Sequence, residues 1–361
     1  MSANALRDTE KLGQSLWLDN LSRTLLREGE LDKLIAEDGI SGLTSNPAIF
    51  YNALSKSPYY QDELATLKAS SLNAEARYEK LIIADIQEAC DKLRAVFDAS
   101  SGDGGYVSLE VSPHLADDEE GTVQAARRLK AEVDRANLLV KVPATPAGVR
   151  AFERLTAEGI NVNVTLMFSL RHEDAVAQAY VNGARRWVAN GGDPRVLKSV
   201  ASIFMSRVDT LVDQKLSAIG TPAALALRGH AAVVLGKLAY QSYLTRFHGA
   251  EFADLAALGV RPQYPLWAST GTKNAAYSDV LYVEPLIGAE TINTLPDATL
   301  AAFRDHGHAA DTVTEGVDEA KTQHAQLAAL GIDLDEVGEQ LQGEGLLLFV
   351  QAFDKLLDIV K

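Results

Sequence analysis

Lys141 stands in the middle of the apolar stretch NLLVKVPAT, Asn137 to Thr145. The run has the character of a strand buried on both faces, where a lysine needs a reason. Taking an ammonium out of water is costly, and the usual escape is loss of the proton. A neutral lysine amine attacks carbonyls and forms Schiff bases. Taken alone, the residue also fits a lysine that snorkels past the strand end or one held in a structural ion pair. Glu110, in YVSLEVSP from Tyr106, is the carboxylate that would relay protons while a carbinolamine forms and dehydrates. Asp19, in QSLWLDN from Gln14, is a second. Each has a plainer alternative, an ion pair for Glu110 and a helix cap for Asp19. WASTGTKN, Trp267 to Asn274, sets Ser269, Gly271 and Lys273 after a late strand, with Arg207 just past SVASIFMSRV as a further cation. Hydroxyls, a glycine and cations at such a place suit a phosphate, although a solvated turn has the same composition.

These residues sit on a regular cadence. Strand-like runs fall near residues 15, 40, 107, 139, 162, 202, 266 and 282. They include GISGLTSNP from Gly39, INVNVTLMF from Ile160, YPLWAST from Tyr264 and VLYVEPLIG from Val280, and helical patterns separate most of them. The expected fold is α/β: one (β/α)8 TIM-type barrel domain over residues 1–361, with extra helices that include a C-terminal segment from about Asp333. The rival, an open doubly wound sheet, lacks a Gly-rich fingerprint after its first strand. Alternation then assigns faces. Leu18, Leu109, Val140, Val142, Val162 and Val164 share the aliphatic parity that covers helices, so the other parity points into the barrel. Asp19, Glu110, Lys141, Asn163 and Thr165 are expected to converge there, and Thr44, Asn46, Ser202 and Phe204 have the parity to join them. A barrel interior is mostly branched aliphatic, so this many inward polar groups point to a site.

Composition narrows the partners. Lys+Arg 34 against Asp+Glu 49 gives a net charge of −15, which argues against binding nucleic acid or an anionic membrane. No apolar run is long enough to span a bilayer and the N-terminus lacks an apolar signal core, so the expected location is cytoplasmic. The single cysteine, Cys90, excludes an intrachain disulfide and lies in a helical pattern as a small half-buried residue. Seven histidines are scattered, with only His306 and His308 close together and no zinc-ligand spacing, so no metal and no cofactor are expected. Tyr240, Tyr243, Leu244 and Phe247 repeat at helical spacing, which predicts core packing.

The blocks LWLDNLSR, GLTSNPAIF, SLEVSP, LLVKVPAT, GINVNVTLMFS, SRVD and WASTGTKN, in this order, resemble the signature blocks of transaldolases, from about residue 12 to the C-terminus. The resemblance implies a class I aldolase barrel of the pentose phosphate pathway whose Schiff-base lysine lies on the fourth strand, the place of Lys141. It implies transfer of a dihydroxyacetone unit from sedoheptulose 7-phosphate or fructose 6-phosphate to glyceraldehyde 3-phosphate or erythrose 4-phosphate. By the same resemblance, Glu110 with Thr165 positions the proton-shuttling water and Asp19 takes the proton of the C4 hydroxyl. Asn46, Asn163 and Ser202 would hold the dihydroxyacetone hydroxyls, and Arg207, Ser269 and Lys273 the phosphate. Many relatives carry arginine where Lys273 stands, and lysine lacks the fork geometry. Transfer also requires that the enamine resist protonation, and Phe204 has the parity to keep that region dry. The alternatives are a fructose 6-phosphate aldolase-like activity and a non-catalytic phosphosugar-binding barrel. Sugar phosphates are the expected partners of a monomer or homodimer, with the C-terminal helical segment closing over the site.

Overall fold

A computed structural model describes residues 4–361. Eight parallel strands close into a barrel in chain order: β1 (Gln14–Leu18), β2 (Gly42–Leu43), β3 (Tyr106–Glu110), β4 (Leu138–Pro143), β5 (Val162–Met167), β6 (Ser199–Phe204), β7 (Tyr264–Ala268) and β8 (Thr291–Leu295). The main helices around them are α1 (Pro47–Lys56), α2 (Ala74–Lys92), α3 (Glu119–Val133), α4 (Pro146–Thr156), α5 (Leu170–Ala189), α6 (Ser206–Ile219), α7 (Ala231–Phe247), α8 (Asp297–His306) and α9 (Leu334–Val360). This is the (β/α)8 architecture that the cadence predicts.

Capping chemistry soon after the strands turns the chain into its helices. Asn46 accepts from the Ile49 amide and Pro47 opens α1; Thr145 accepts from Gly148 N and Pro146 opens α4; Ser169 accepts from His172 N at the start of α5. A short side-chain acceptor satisfies an orphan amide, and a proline has no amide to lose. The strands therefore end abruptly on one face of the barrel, where their last inward side chains gather.

Register aligns those side chains. Glu110 pairs with Lys141 across β3 and β4, and Lys141 with Asn163 across β4 and β5, so the three form one transverse row. Their neighbours of opposite parity, Leu109, Val140, Val142, Val162 and Val164, are buried in the core. The aromatic stripe on α7 behaves as expected, with Tyr240, Tyr243 and Phe247 buried in the core and Leu244 partly so. Cys90 is more enclosed than expected: it is wholly buried on α2, and burial pushes its thiol up to about 12.

Two strand assignments need correction. VLYVEPLIG is not the eighth strand, which is TINTL, Thr291–Leu295. The expected stretch is a connection holding a single 3₁₀ turn, Glu284–Leu286, that opens just before Pro285. Val280, Tyr282, Val283, Leu286 and Ile287 are buried there, so they imitate the hydrophobicity of a strand. Proline cannot donate to a ladder, and the backbone is held instead by side chains: Trp267 Nε1 donates to Leu286 O at 2.9 Å and Asn293 Nδ2 to Tyr282 O at 3.0 Å. The second strand is also shorter than GISGLTSNP suggested, so Thr44 and Asn46 lie beyond it in the connection to α1. No helix among the described residues is long and apolar enough to cross a membrane.

Candidate active site

A cavity of about 440 Å³ opens at the C-terminal ends of the strands. Asp19, Thr44, Asn46, Lys141, Thr165, Ser202, Phe204, Arg207 and Ser269 all border it. Alternation and strand-end caps bring these residues together from β1, β4, β5, β6, β7 and the segment after β2. Glu110 and Asn163 lie in the same row as Lys141, and Asn163 Oδ1 accepts from Ser202 Oγ at 2.7 Å. Asn163 Nδ2 in turn donates to Ser108 Oγ at 3.0 Å, which fixes which end of the amide faces Ser202.

Lys141 is 5 % exposed. Its Nζ donates to Ser45 O at 2.9 Å and lies 3.7 Å from Glu110 Oε2, too long for a hydrogen bond. Glu110 Oε2 and Thr165 Oγ1 are both buried and make no hydrogen bond within the protein. Loss of solvent pushes the Glu110 carboxyl up to about 7; Lys141 opposes the rise and Asp19 adds to it. A carboxyl poised near neutrality beside a buried amine can both take and return a proton.

Asp19 does not cap a helix; Ser22 does that, accepting from Leu25 N. Asp19 Oδ1 instead accepts from Thr44 Oγ1 at 2.7 Å, and Thr44 Oγ1 lies 2.6 Å from Thr294 Oγ1. Burial raises the Asp19 carboxyl, with the Thr44 bond and Lys141 opposing. Two carboxyls therefore flank the amine, each held off its ordinary acidity by desolvation.

At the other wall, Arg207 sits in the first turn of α6. Burial lowers its guanidinium from its ordinary value, and only the charge of Glu344 opposes that. Ser206 Oγ and Ser269 Oγ are 3.0 Å apart, and Ser269 takes the left-handed backbone at φ +53°. A half-buried guanidinium, a hydroxyl and a helix N-terminus make a ready anion pocket. Phe204 packs on Phe168 with ring centroids 5.0 Å apart, giving the cavity one dry wall.

Lys273 does not line this cavity, although its charge reaches Asp19 and opposes the rise of that carboxyl. After Ser269 the chain turns through Gly271, and Lys273 folds back so that its Nζ lies 3.9 Å from the position a Gly271 Cβ would occupy. It is exposed and borders a neighbouring groove with Asp209, Asp213 and Arg228. The expectation for Lys273 rested on the composition of WASTGTKN, which does not say how a side chain beyond the left-handed Ser269 is aimed.

The sequence pattern also missed part of the wall. Tyr51 and Asn52 of α1, and Leu348, Phe349, Gln351, Ala352 and Lys355 of α9, border the cavity. That the C-terminal helical segment closes over the site was expected, and residues 348, 352 and 355 recur at helical spacing, but the sequence did not single out which of its residues reach the cavity. Lys355 is exposed, and its acidic neighbours are engaged elsewhere, Asp354 with His114 and Asp358 with Lys361.

The sequence model of the family described as "Transaldolase/Fructose-6-phosphate aldolase" matches residues 16–360. A protein named "Transaldolase" from Thiobacillus denitrificans is 59% identical over 354 residues, 98% of this chain and 99% of that protein. One of the same name from Neisseria gonorrhoeae is 47% identical over 352 residues, 98% of each. "Transaldolase 1" from Streptomyces coelicolor is 44% identical over 360 residues, 99% of this chain and 94% of that one.

Proposed function

Because this chain belongs to the transaldolase/fructose-6-phosphate aldolase family, we propose that it is a transaldolase with Lys141 as its Schiff-base nucleophile. It moves a dihydroxyacetone unit from sedoheptulose 7-phosphate or fructose 6-phosphate to glyceraldehyde 3-phosphate or erythrose 4-phosphate, the transfer of the pentose phosphate pathway. One observation carries the assignment of the nucleophile: the Lys141 amine lies buried on the cavity wall with Glu110 at 3.7 Å.

Lys141 first passes a proton to Glu110, its neutral Nζ attacks the C2 carbonyl of the ketose, and Glu110 hands that proton to the C2 oxygen to give a carbinolamine. Glu110, with a water held by Thr165, then takes a second proton from the nitrogen and returns it to the C2 hydroxyl; water leaves and an iminium remains. Asp19 removes the proton of the C4 hydroxyl, the C3–C4 bond breaks, and its electron pair flows into the iminium to give an enamine. The aldose phosphate departs. The acceptor aldehyde then takes its place, C3 attacks its carbonyl carbon, and Asp19 returns the proton to the new hydroxyl. Hydrolysis of the iminium frees Lys141. Asn46, Asn163 and Ser202 hold the hydroxyls of the three-carbon unit; Thr44 orients Asp19. Arg207 and Ser269 hold the phosphate. Phe204 offers no proton to the enamine, which therefore survives until the acceptor arrives. The reaction takes place in the cytoplasm, a compartment in keeping with a chain whose one cysteine is buried and free.

Borohydride added with fructose 6-phosphate should leave a reduced three-carbon adduct on the peptide containing Lys141, read by mass. No adduct at Lys141 would refute the Schiff-base assignment.

A further inference from the structure

The end of β5 contains an irregularity that the reaction scheme does not use. Leu166 adopts φ +59°, a left-handed backbone that a bulky side chain rarely takes, and the β5–β6 register shifts between Val164 and Met167. This bulge follows directly on Thr165, whose hydroxyl borders the cavity. Such strain persists only where the surroundings over-determine it, and it clusters at functional sites.

What holds it is Gln342, a buried polar residue of α9. Its Nε2 donates to Leu166 O at 3.1 Å and to Ala144 O at 2.9 Å. Ala144 lies three residues beyond Lys141, and its own amide donates to Thr165 O at 2.8 Å. One side-chain amide thus fastens the ends of the two strands that carry Lys141 and Thr165. Two glycines on the same face let α9 come close enough. A Cβ on Gly338 would stand 2.6 Å from Ser169 Cβ, and one on Gly345 would stand 3.1 Å from Leu166 Cδ2. Further along, α9 supplies Phe349 and Lys355 to the cavity, so its seating and the bulge are parts of one arrangement.

We propose that Gln342 is a positioning residue: by clamping the carbonyls of Ala144 and Leu166 it holds the left-handed bulge that sets the Thr165 hydroxyl beside Lys141. The proposal rests on the Schiff-base assignment above. Its test is Gln342→Met, which keeps the side-chain length and removes the donor, leaving both buried carbonyls without it. A displacement of about 1 Å in a catalytic group can cost roughly 100-fold. The expected result is a kcat lower by roughly 10- to 100-fold with KM for fructose 6-phosphate within about threefold. Thr165→Ala added to that variant should cost far less than it costs in the wild type, because both act on one hydroxyl. Unchanged kcat, or fully additive losses, would overturn the proposal, as would a drop in thermal stability alone. If Gln342→Met does not fold, Gln342→Asn, which keeps the amide but is too short to span both carbonyls, carries the same two measurements. Borohydride trapping of the wild type separates the two ideas: no adduct there refutes the nucleophile, whereas an adduct with an unaffected Gln342 variant refutes only the clamp.

Discussion

Replacing Glu110 with glutamine removes the group that the structure holds nearest to neutrality beside the amine. Desolvation pushes this carboxyl from 4.5 to about 7, a preference for the protonated form of roughly 3 kcal/mol. Its folded pKa is raised, so the proton stays on in the native site until the pH climbs to about 7. Attack by Lys141 needs a partner able to accept a proton, so activity should rise with pH through that value. Between pH 8 and pH 6 the ionised fraction falls about tenfold, and kcat/KM should fall with it. In Glu110→Gln the amide cannot relay, and general acid–base losses of this kind are about 10² to 10⁴. The assay follows glyceraldehyde 3-phosphate released from fructose 6-phosphate with erythrose 4-phosphate as acceptor, from pH 5.5 to 9, with a thermal melt to confirm folding. The slow residual rate should be flat through pH 7. A rising limb near 7 that survives in the variant would place the titrating group elsewhere and refute Glu110 as the relay.

Phe204→Tyr introduces a hydroxyl on the dry wall, and should raise release of free dihydroxyacetone relative to transfer; an unchanged ratio of cleavage to transfer with acceptor present would remove Phe204 from that role. Arg207→Ala should raise KM for the ketose phosphate by roughly 10- to 100-fold, the worth of a charge-assisted contact, against less than about threefold for Lys273→Ala. The reverse order would make Lys273, and not Arg207, the cation that holds the phosphate. Glu173, buried on α5 and bonded to Ser242 at 2.7 Å, is pushed up to about 7 mainly by burial. Its raised folded pKa favours the native state below its unfolded value, and that advantage is lost as pH rises through about 7. Glu173→Gln should therefore lose roughly 3 kcal/mol less stability than wild type between pH 4.5 and 8 in urea melts; equal losses would contradict this.

The polar row Glu110, Lys141, Asn163 was legible in the sequence because side chains in a strand alternate strictly, so parity alone assigned a face once the barrel was recognised. The caps Asn46 and Thr145, each followed by a proline, and Ser169 are likewise local, since each needs only an amide three residues away. Alternation failed where the backbone leaves the strand. Apolar character took buried VLYVEPLIG for a ladder although Pro285 opposes one, and composition placed Lys273 with the phosphate although it does not line the cavity. Alternation gave no hint that Leu166 adopts positive φ, because the donor holding that conformation is Gln342, 176 residues away in sequence. Whether the amine has its carboxyl partners depended on period-two geometry that any eight-stranded barrel shares. Which residues of the C-terminal helix reach the site depended on how α9 packs across the barrel mouth. Such packing is set by close approach at Gly338 and Gly345 and by one buried amide, contacts between segments far apart in the chain that no local pattern encodes.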